Sequence, residues 1–233
     1  MTVHKRNMIT ACAVLLVAVM TLGSTLAFFT DTETKTNVFT MGNLDITLAE
    51  TWTPADGEKM VPGDTVVKAP KVTAVKGDGY MRVTVTILDK NTGVAPGTKV
   101  TDAARIAKIK ETLYHDANGA IIVPGTKYST ADIAKWNVGD VKKVYNDSAF
   151  TETVKAPGVF VYTYKNTTTK NIFKEGMDAT LLTNVVIPSD WNLKDIELLG
   201  KYDIEIKAEA IQAEGFANDV EAFAALDAQI AKP

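Results

Sequence analysis

Apolar and polar residues alternate in three stretches of the chain with the period of a strand buried on one face. Leu44, Ile46 and Leu48 form the first set. Met81, Val83, Val85 and Ile87 form the second, with Arg82, Thr84 and Thr86 facing the other way, and Ile204, Ile206 and Ala208 form the third. Residues 120–123, 159–164 and 184–187 are short runs rich in β-branched and aromatic side chains and are predicted as further strands. Turn chemistry separates them: Pro62-Gly63-Asp64, Lys76-Gly77-Asp78-Gly79, Pro96-Gly97, Pro124-Gly125 and Pro157-Gly158. Short strands at this spacing predict a mainly β protein built as a sandwich. Helical spacing is confined to three places. It recurs over 101–116 at Ile106, Ile109 and Leu113, with Thr101 or Asp102 as cap, and over 218–230 at Val220, Phe223, Leu226 or Asp227, and Ile230. Ser129-Thr130-Ala131-Asp132 has the form of a capping box and predicts a short helix. These read as a few short helical excursions from a sheet protein, followed by a C-terminal helix.

The first 27 residues have a different character. Lys5 and Arg6 precede an unbroken apolar run from Ala11 to Met20, and small residues follow up to Ala27. This is the order of a secretory signal peptide, and Thr21, Gly23, Ser24 and Thr25 dilute the run too early for a retained membrane anchor. Cleavage between Ala27 and Phe28 is expected, leaving 28–233 as one domain with no internal linker or repeat. The exported chain then contains no cysteine, because Cys12 leaves with the signal. No disulfide can staple it, so its stability outside the cell has to come from its core or from assembly.

Composition narrows the function classes. The whole chain is 46% hydrophobic and 23% charged, which is enough apolar material for a sizeable core. Its 25 Lys and Arg are scattered against 28 Asp and Glu, so no basic footprint for nucleic acid is present.

Three stretches are recognisable together. Around the cleavage site the chain reads Leu26-Ala27-Phe28-Phe29-Thr30-Asp31, then Val38-Phe39-Thr40-Met41-Gly42-Asn43-Leu44-Asp45-Ile46. Met60-Val61-Pro62-Gly63-Asp64-Thr65-Val66 leads on to Tyr80-Met81-Arg82-Val83-Thr84-Val85, and Ile206-Lys207-Ala208-Glu209-Ala210-Ile211-Gln212-Ala213-Glu214-Gly215-Phe216 approaches the C-terminus. In this order the blocks resemble the TasA and camelysin family of exported proteins, including its Pro62-Gly63-Asp64 turn. Residues 90–170 carry no block that aligns. The resemblance implies a jelly-roll-like β-sandwich, cleavage by a SipW-type signal peptidase, and secretion to the extracellular matrix or cell surface of a bacterium. In the TasA branch it also implies polymerisation into biofilm fibres, with a second copy and other matrix proteins as partners and no cofactor.

Physical reasoning about residues 28–48 is compatible with that implication. An extended peptide can add to an exposed sheet edge, its backbone giving affinity and alternate side chains giving specificity. Phe28, Phe29 and Phe39 are candidate anchors of such an assembly strand, together with Leu44, Ile46 and Leu48. A head-to-tail contact of this kind yields an open filament when its rotation does not close. The alternative is that the same stretch forms the sandwich's own first strand, and both can hold where strands are exchanged.

Camelysin relatives imply a different chemistry, a surface metallopeptidase. A zinc peptidase of the common type uses two histidines one helical turn apart with a glutamate between them. The sequence holds only His4 and His115, and His4 lies in the signal. His115, in Tyr114-His115-Asp116, is expected at a helix end before a turn, where a cation is an ordinary structural choice. No Gly-x-Ser-x-Gly elbow accompanies it for nucleophilic chemistry. Asp64 and Asp78 read as turn formers, with a surface calcium site as the functional alternative. Trp52, Trp136 and Trp191 are candidates for a carbohydrate platform and equally for core. The sequence therefore favours a non-enzymatic structural protein, with a camelysin-like metallopeptidase or a monomeric surface adhesin as the alternatives.

Overall fold

The computed structural model describes residues 44–52, 60–137 and 141–231. The signal, the cleavage site at Ala27 and Phe28, and the anchors Phe29 and Phe39 lie outside the described residues. Eleven strands and four α-helices follow in the order β1 (Asp45–Thr51), β2 (Thr65–Val67), β3 (Ala69–Lys76), β4 (Gly79–Asp89), α1 (Ala103–Lys110), β5 (Leu113–Asp116), α2 (Thr130–Ala134), β6 (Val141–Lys143), β7 (Phe150–Ala156), β8 (Val159–Tyr164), β9 (Asp178–Thr180), β10 (Asn184–Val186), α3 (Leu193–Leu199), β11 (Tyr202–Gln212) and α4 (Asp219–Ile230). The protein is mainly β, and every strand pair described is antiparallel.

One layer is the four-stranded sheet β11-β4-β8-β7. β4 and β11 are long because their alternation is sustained. Met81, Val83, Val85 and Ile87 of β4 and Ile204, Ile206, Ala208 and Ala210 of β11 all point into one core. The facing layer consists of β1-β3-β9 and β2-β10-β5-β6. These two sheets are continuous in hydrogen bonding, since Leu181 N–H donates to Pro70 O at 3.0 Å and Lys68 N–H donates to Thr183 O at 3.0 Å. Leu44, Ile46, Val72, Ala74, Leu113, Ala179 and Val185 project from this layer into the same core. Burial of these apolar faces is the dominant favourable contribution to a fold of this kind.

The first three alternating sets are therefore core strands, and β8 spans the predicted 159–164. Tyr162 and Tyr164 share its inner face, as their spacing requires. Two local expectations are corrected. Helical spacing over 101–116 persists only to Lys110, where α1 ends; Asp102 caps its start, its Oδ1 accepting from Arg105 N–H at 2.7 Å. Leu113 and Tyr114 instead pair with Val185 and Asn184 as strand β5, so tertiary pairing overrides the helical period there. Residues 120–123 form a loop rather than a strand, because their backbone is claimed by the Asp116 carboxylate.

α4 lies on the outer face of β4 and β11. Ala222, Phe223 and Leu226 cover Tyr80 and Ile211, while Val220 stays exposed. The helix is tied down by Arg82, which projects from the same outer face. Its guanidinium makes one bond to Glu209 Oε2 at 3.0 Å and two to the Asp227 carboxylate at 3.2 and 2.5 Å, and it sits 5.0 Å from the Phe223 ring centroid. The bonds from Arg82 hold the Asp227 carboxyl below the usual carboxylate range. Replacing Arg82 by Ala strands the buried Glu209 carboxylate, with only Lys207 at 2.6 Å beside it. The expected loss in urea-denaturation stability is about 3 kcal/mol. Asp227→Ala, which removes a half-exposed partner, is expected to lose about 1 kcal/mol or less in the same measurement.

Candidate functional site

The Pro62-Gly63-Asp64 turn delivers the chain into β2. Gly63 takes φ +96°, a conformation glycine adopts without strain, and its N–H donates to Ile187 O at 2.8 Å. Asp64 closes the turn: its N–H donates to Val61 O at 3.0 Å, and its Oδ2 accepts from Val61 N–H at 2.7 Å. The turn-former reading of Asp64 describes these bonds.

β2 is an edge strand with β10 on one side only. Ile187 N–H reaches Asp64 O at 2.9 Å, and Lys68 N–H reaches Thr183 O at 3.0 Å. Alternate residues of an antiparallel strand direct their backbone groups to opposite sides. Thr65 and Val67 therefore direct theirs away from β10, and among the described residues these groups find no backbone partner. They border a cleft of about 380 Å³ between β2, the end of β1 at Thr51 and Trp52, and the loop carrying Pro124, Gly125 and Lys127. Its lining mixes apolar Trp52, Val66, Val67 and Pro124 with Asp64 and Lys127.

The loop forming the far wall is held from below by Asp116 at the end of β5. Its carboxylate accepts from the N–H groups of Asn118 (3.3 Å), Gly119 (3.0 Å), Ile121 (2.9 Å) and Ile122 (2.9 Å). Burial alone would raise this carboxyl, but the four amides outweigh it and hold it below the ordinary carboxylate value. Tyr128 adds a second tie, its hydroxyl accepting from Val123 N–H at 2.9 Å and donating to Ile121 O at 2.8 Å. Its ring stands edge-on to Trp136 at 4.8 Å. The wall is thus pre-formed, with Thr65 Oγ1 donating across the cleft's lower end to Thr126 O at 3.4 Å.

The remaining candidate residues are dispersed. Leu44 and Ile46 are buried in the chain's own core, Leu48 packs against it, and β1 pairs with β3 from Asp45 to Thr51. Trp52 lies 4.6 Å beneath Lys68 Nζ and Trp191 4.3 Å beneath Lys108 Nζ, whereas Trp136 belongs to the cluster behind the cleft loop. The three tryptophans do not share a surface. Asp78 accepts from Glu175 N–H at 3.0 Å, tying two turns together.

His115 lies within β5, paired in register with Lys142, and not at a helix end. Its imidazole is buried, and Nδ1 has no hydrogen-bond partner. The neighbouring Asp116 carboxylate is committed to four amides. No group of three or more His, Cys, Asp or Glu able to hold a metal ion occurs among the described residues. This donor set does not fit a catalytic zinc, which takes three protein ligands and keeps an open position.

The geometry defines an antiparallel β-sandwich in which β2, paired on one side only among the described residues, lies beside a walled cleft, and no helix among the described residues is long and apolar enough to cross a membrane. Residues 2–111, just under half of the chain, match the family model described as camelysin metallo-endopeptidase, in agreement with the TasA and camelysin resemblance of the sequence. That match includes the Pro62-Gly63-Asp64 turn and β1 to β4, while the third recognised stretch, from Ile206, lies beyond it. That match supports a secreted or surface protein. No curated protein matches the chain. Among solved structures, a chain of the CaDoc0917–CaCohA2 complex is similar at 12% identity and a TM-score of 0.24, covering 66% of this chain and 92% of that one. A chain from the complex of the sixth cohesin of Acetivibrio cellulolyticus scaffoldin B with a mutant Cel5 dockerin is similar at 15% identity and a TM-score of 0.23, covering 74% and 98%. Likenesses of that size establish nothing about this chain's activity or partners.

Burial lowers the His115 pKa from its ordinary 6.5, and Asp116 and Asp147 offset this only in part. The folded protein thus favours the neutral imidazole, and the unfolded chain takes up the proton first as pH falls. Stability from this source is complete above about 6.5 and declines as the pH drops through the lowered folded value. Thermal melts between pH 7.5 and 5 are expected to show a larger drop in midpoint for the parent than for His115→Gln. Parallel curves would show that His115 does not titrate in that window.

Proposed function

We propose that this chain is a secreted structural protein that polymerises into extracellular fibres of a bacterial biofilm matrix. Export uses residues 1–27, which a SipW-type signal peptidase removes after Ala27. The freed segment beginning at Phe28 then adds as a strand to another copy, and other matrix proteins join the same fibres. The observation that carries this reading is an antiparallel sandwich, matched over residues 2–111 by a camelysin family model, in which β2 pairs on one side only among the described residues, the arrangement to which an extended peptide adds. The same contact is heterologous, so it propagates as a filament where its rotation does not close. The one histidine beyond residue 27 is buried in a strand, and no group of three metal-ligating side chains occurs among the described residues, which supports the structural over the peptidase reading.

The description of the matching family favours a second reading, a surface metallo-endopeptidase. Casein cleavage that follows the purified protein, stops with chelator and vanishes in His115→Ala would establish it and overturn the structural reading.

Polymerisation is tested by electron microscopy of the chain beginning at Phe28 beside one beginning at Gly42, at matched concentration. Fibres are expected from the first and folded monomers from the second. Folded monomers from both would remove self-assembly and shift the reading to a surface adhesin.

A further inference from the structure

We infer that Asn118 is a modification site, converted to aspartate and isoaspartate through a succinimide formed with Gly119, and that the Asp116 carboxylate restrains this conversion while the loop over 117–127 is closed. The products break the ties that close the loop, so the change runs in one direction only.

Sequence and exposure set the site. Asn118-Gly119 is the one Asn-Gly pair in the chain. A following residue without a Cβ leaves the asparagine side chain open to attack by the next backbone nitrogen. Both residues are exposed, and a Cβ built on Gly119 would meet nothing within 4 Å, so water reaches this turn freely. In the reaction the Gly119 nitrogen attacks Cγ of Asn118. An N–C bond forms, the Cγ–Nδ2 bond breaks, and the side-chain nitrogen leaves as ammonia, which carries away the proton given up by the Gly119 nitrogen. Water then opens the ring. Addition at Cγ gives aspartate, and addition at the α-carbonyl gives isoaspartate, in which the main chain runs through the side chain.

The restraint lies in the hydrogen that has to leave. Gly119 N–H donates to Asp116 Oδ1 at 3.0 Å and to Asp116 O at 3.3 Å, so the attacking nitrogen is occupied in the closed loop. The charge on that carboxylate also repels the nitrogen anion that the attack requires. The same carboxylate accepts from the N–H groups of Asn118, Ile121 and Ile122, which fixes the turn around the reacting pair. Asp116 is only 3% exposed, so water screens these interactions little. Either product places a new carboxylate two residues from Asp116. Isoaspartate also lengthens the main chain by a methylene, which moves Gly119, Ile121 and Ile122 out of register with the Asp116 oxygens. The amide bonds that close the loop then cannot all re-form, and the wall carrying Pro124, Gly125 and Lys127 loses its support from below.

The test holds the purified protein at neutral pH, folded or in urea, and follows the tryptic peptide spanning 111–127 by mass spectrometry, with enzymatic methylation of isoaspartate as a second readout. In urea, Asn118 is expected to convert ahead of every other asparagine. The folded parent is expected to convert about tenfold more slowly than in urea, and folded Asp116→Ala to regain most of that rate. Asp116→Asn keeps the shape of the side chain without its charge and is expected to convert faster than the parent; it decides if the Ala variant fails to fold by thermal melt. A folded parent that converts as fast as protein in urea, or variants no faster than the parent, would overturn the restraint. Variants slower than the parent, the outcome if the carboxylate acted as a base, would overturn it as well. No conversion in urea would remove the site itself. Hydrogen exchange at the amides of Ile121 and Ile122 reads the loop directly. Faster exchange in the isoaspartate form than in the parent is expected, and equal protection would overturn the one-way opening.

Discussion

The pairing of β4 with β11 is the constraint on which the other elements depend. It runs in unbroken register from Gly79↔Gln212 to Asp89↔Tyr202. Its inner face supplies the aliphatic floor of the core, and its outer face carries Tyr80, Arg82, Glu209 and Ile211, the seat of α4. At one end, a Cβ on Gly79 would lie 2.6 Å from Ile211 O and from the Leu44 side chain, so the absence of one lets β1's first core residue close against the ladder. At the other end, Arg105 bonds Asp89, Leu199 O and Lys201 O, joining α1, α3 and the start of β11. With no cysteine beyond Cys12, these packed and hydrogen-bonded contacts replace the disulfide framework common in exported domains.

Legibility from sequence followed how locally each element is determined. The core strands announced themselves because aliphatic side chains fill one face of each and mostly polar side chains the other, and β8 kept its bounds. The Ser129 capping box was equally readable: Ser129 and Asp132 exchange side-chain and backbone bonds as their spacing requires. Elements fixed by distant partners were not readable. β5 carries a helical period but is pulled straight by β10, and β2 and β9 are three-residue strands too short to show a period. β3 contains Pro70, which argues locally against a strand and is tolerated because Leu181 O, the acceptor facing its missing N–H, takes the Asn146 N–H at 2.7 Å instead.

The candidate site was legible only in its turn. Pro62-Gly63-Asp64 was visible as chemistry, but nothing local indicates that the following three residues form an edge strand or that residues 121–127 stand opposite. That wall depends on Asp116, whose side chain gathers amides two to six residues ahead, in a loop whose β-branched composition suggests a strand. The isolated histidine was equally opaque. Its burial in the sheet is set by the β5 pairing, and with the neighbouring carboxylate already committed to backbone amides it belongs to no group of three metal-ligating side chains among the described residues.

Hydrogen exchange along β4 and β11 tests this account most directly, measured on the chain beginning at Phe28. The amides that join these two strands are expected to be the last to exchange, well after those of β2 and β9. Exchange from β4 and β11 as early as from β2 and β9 would contradict it.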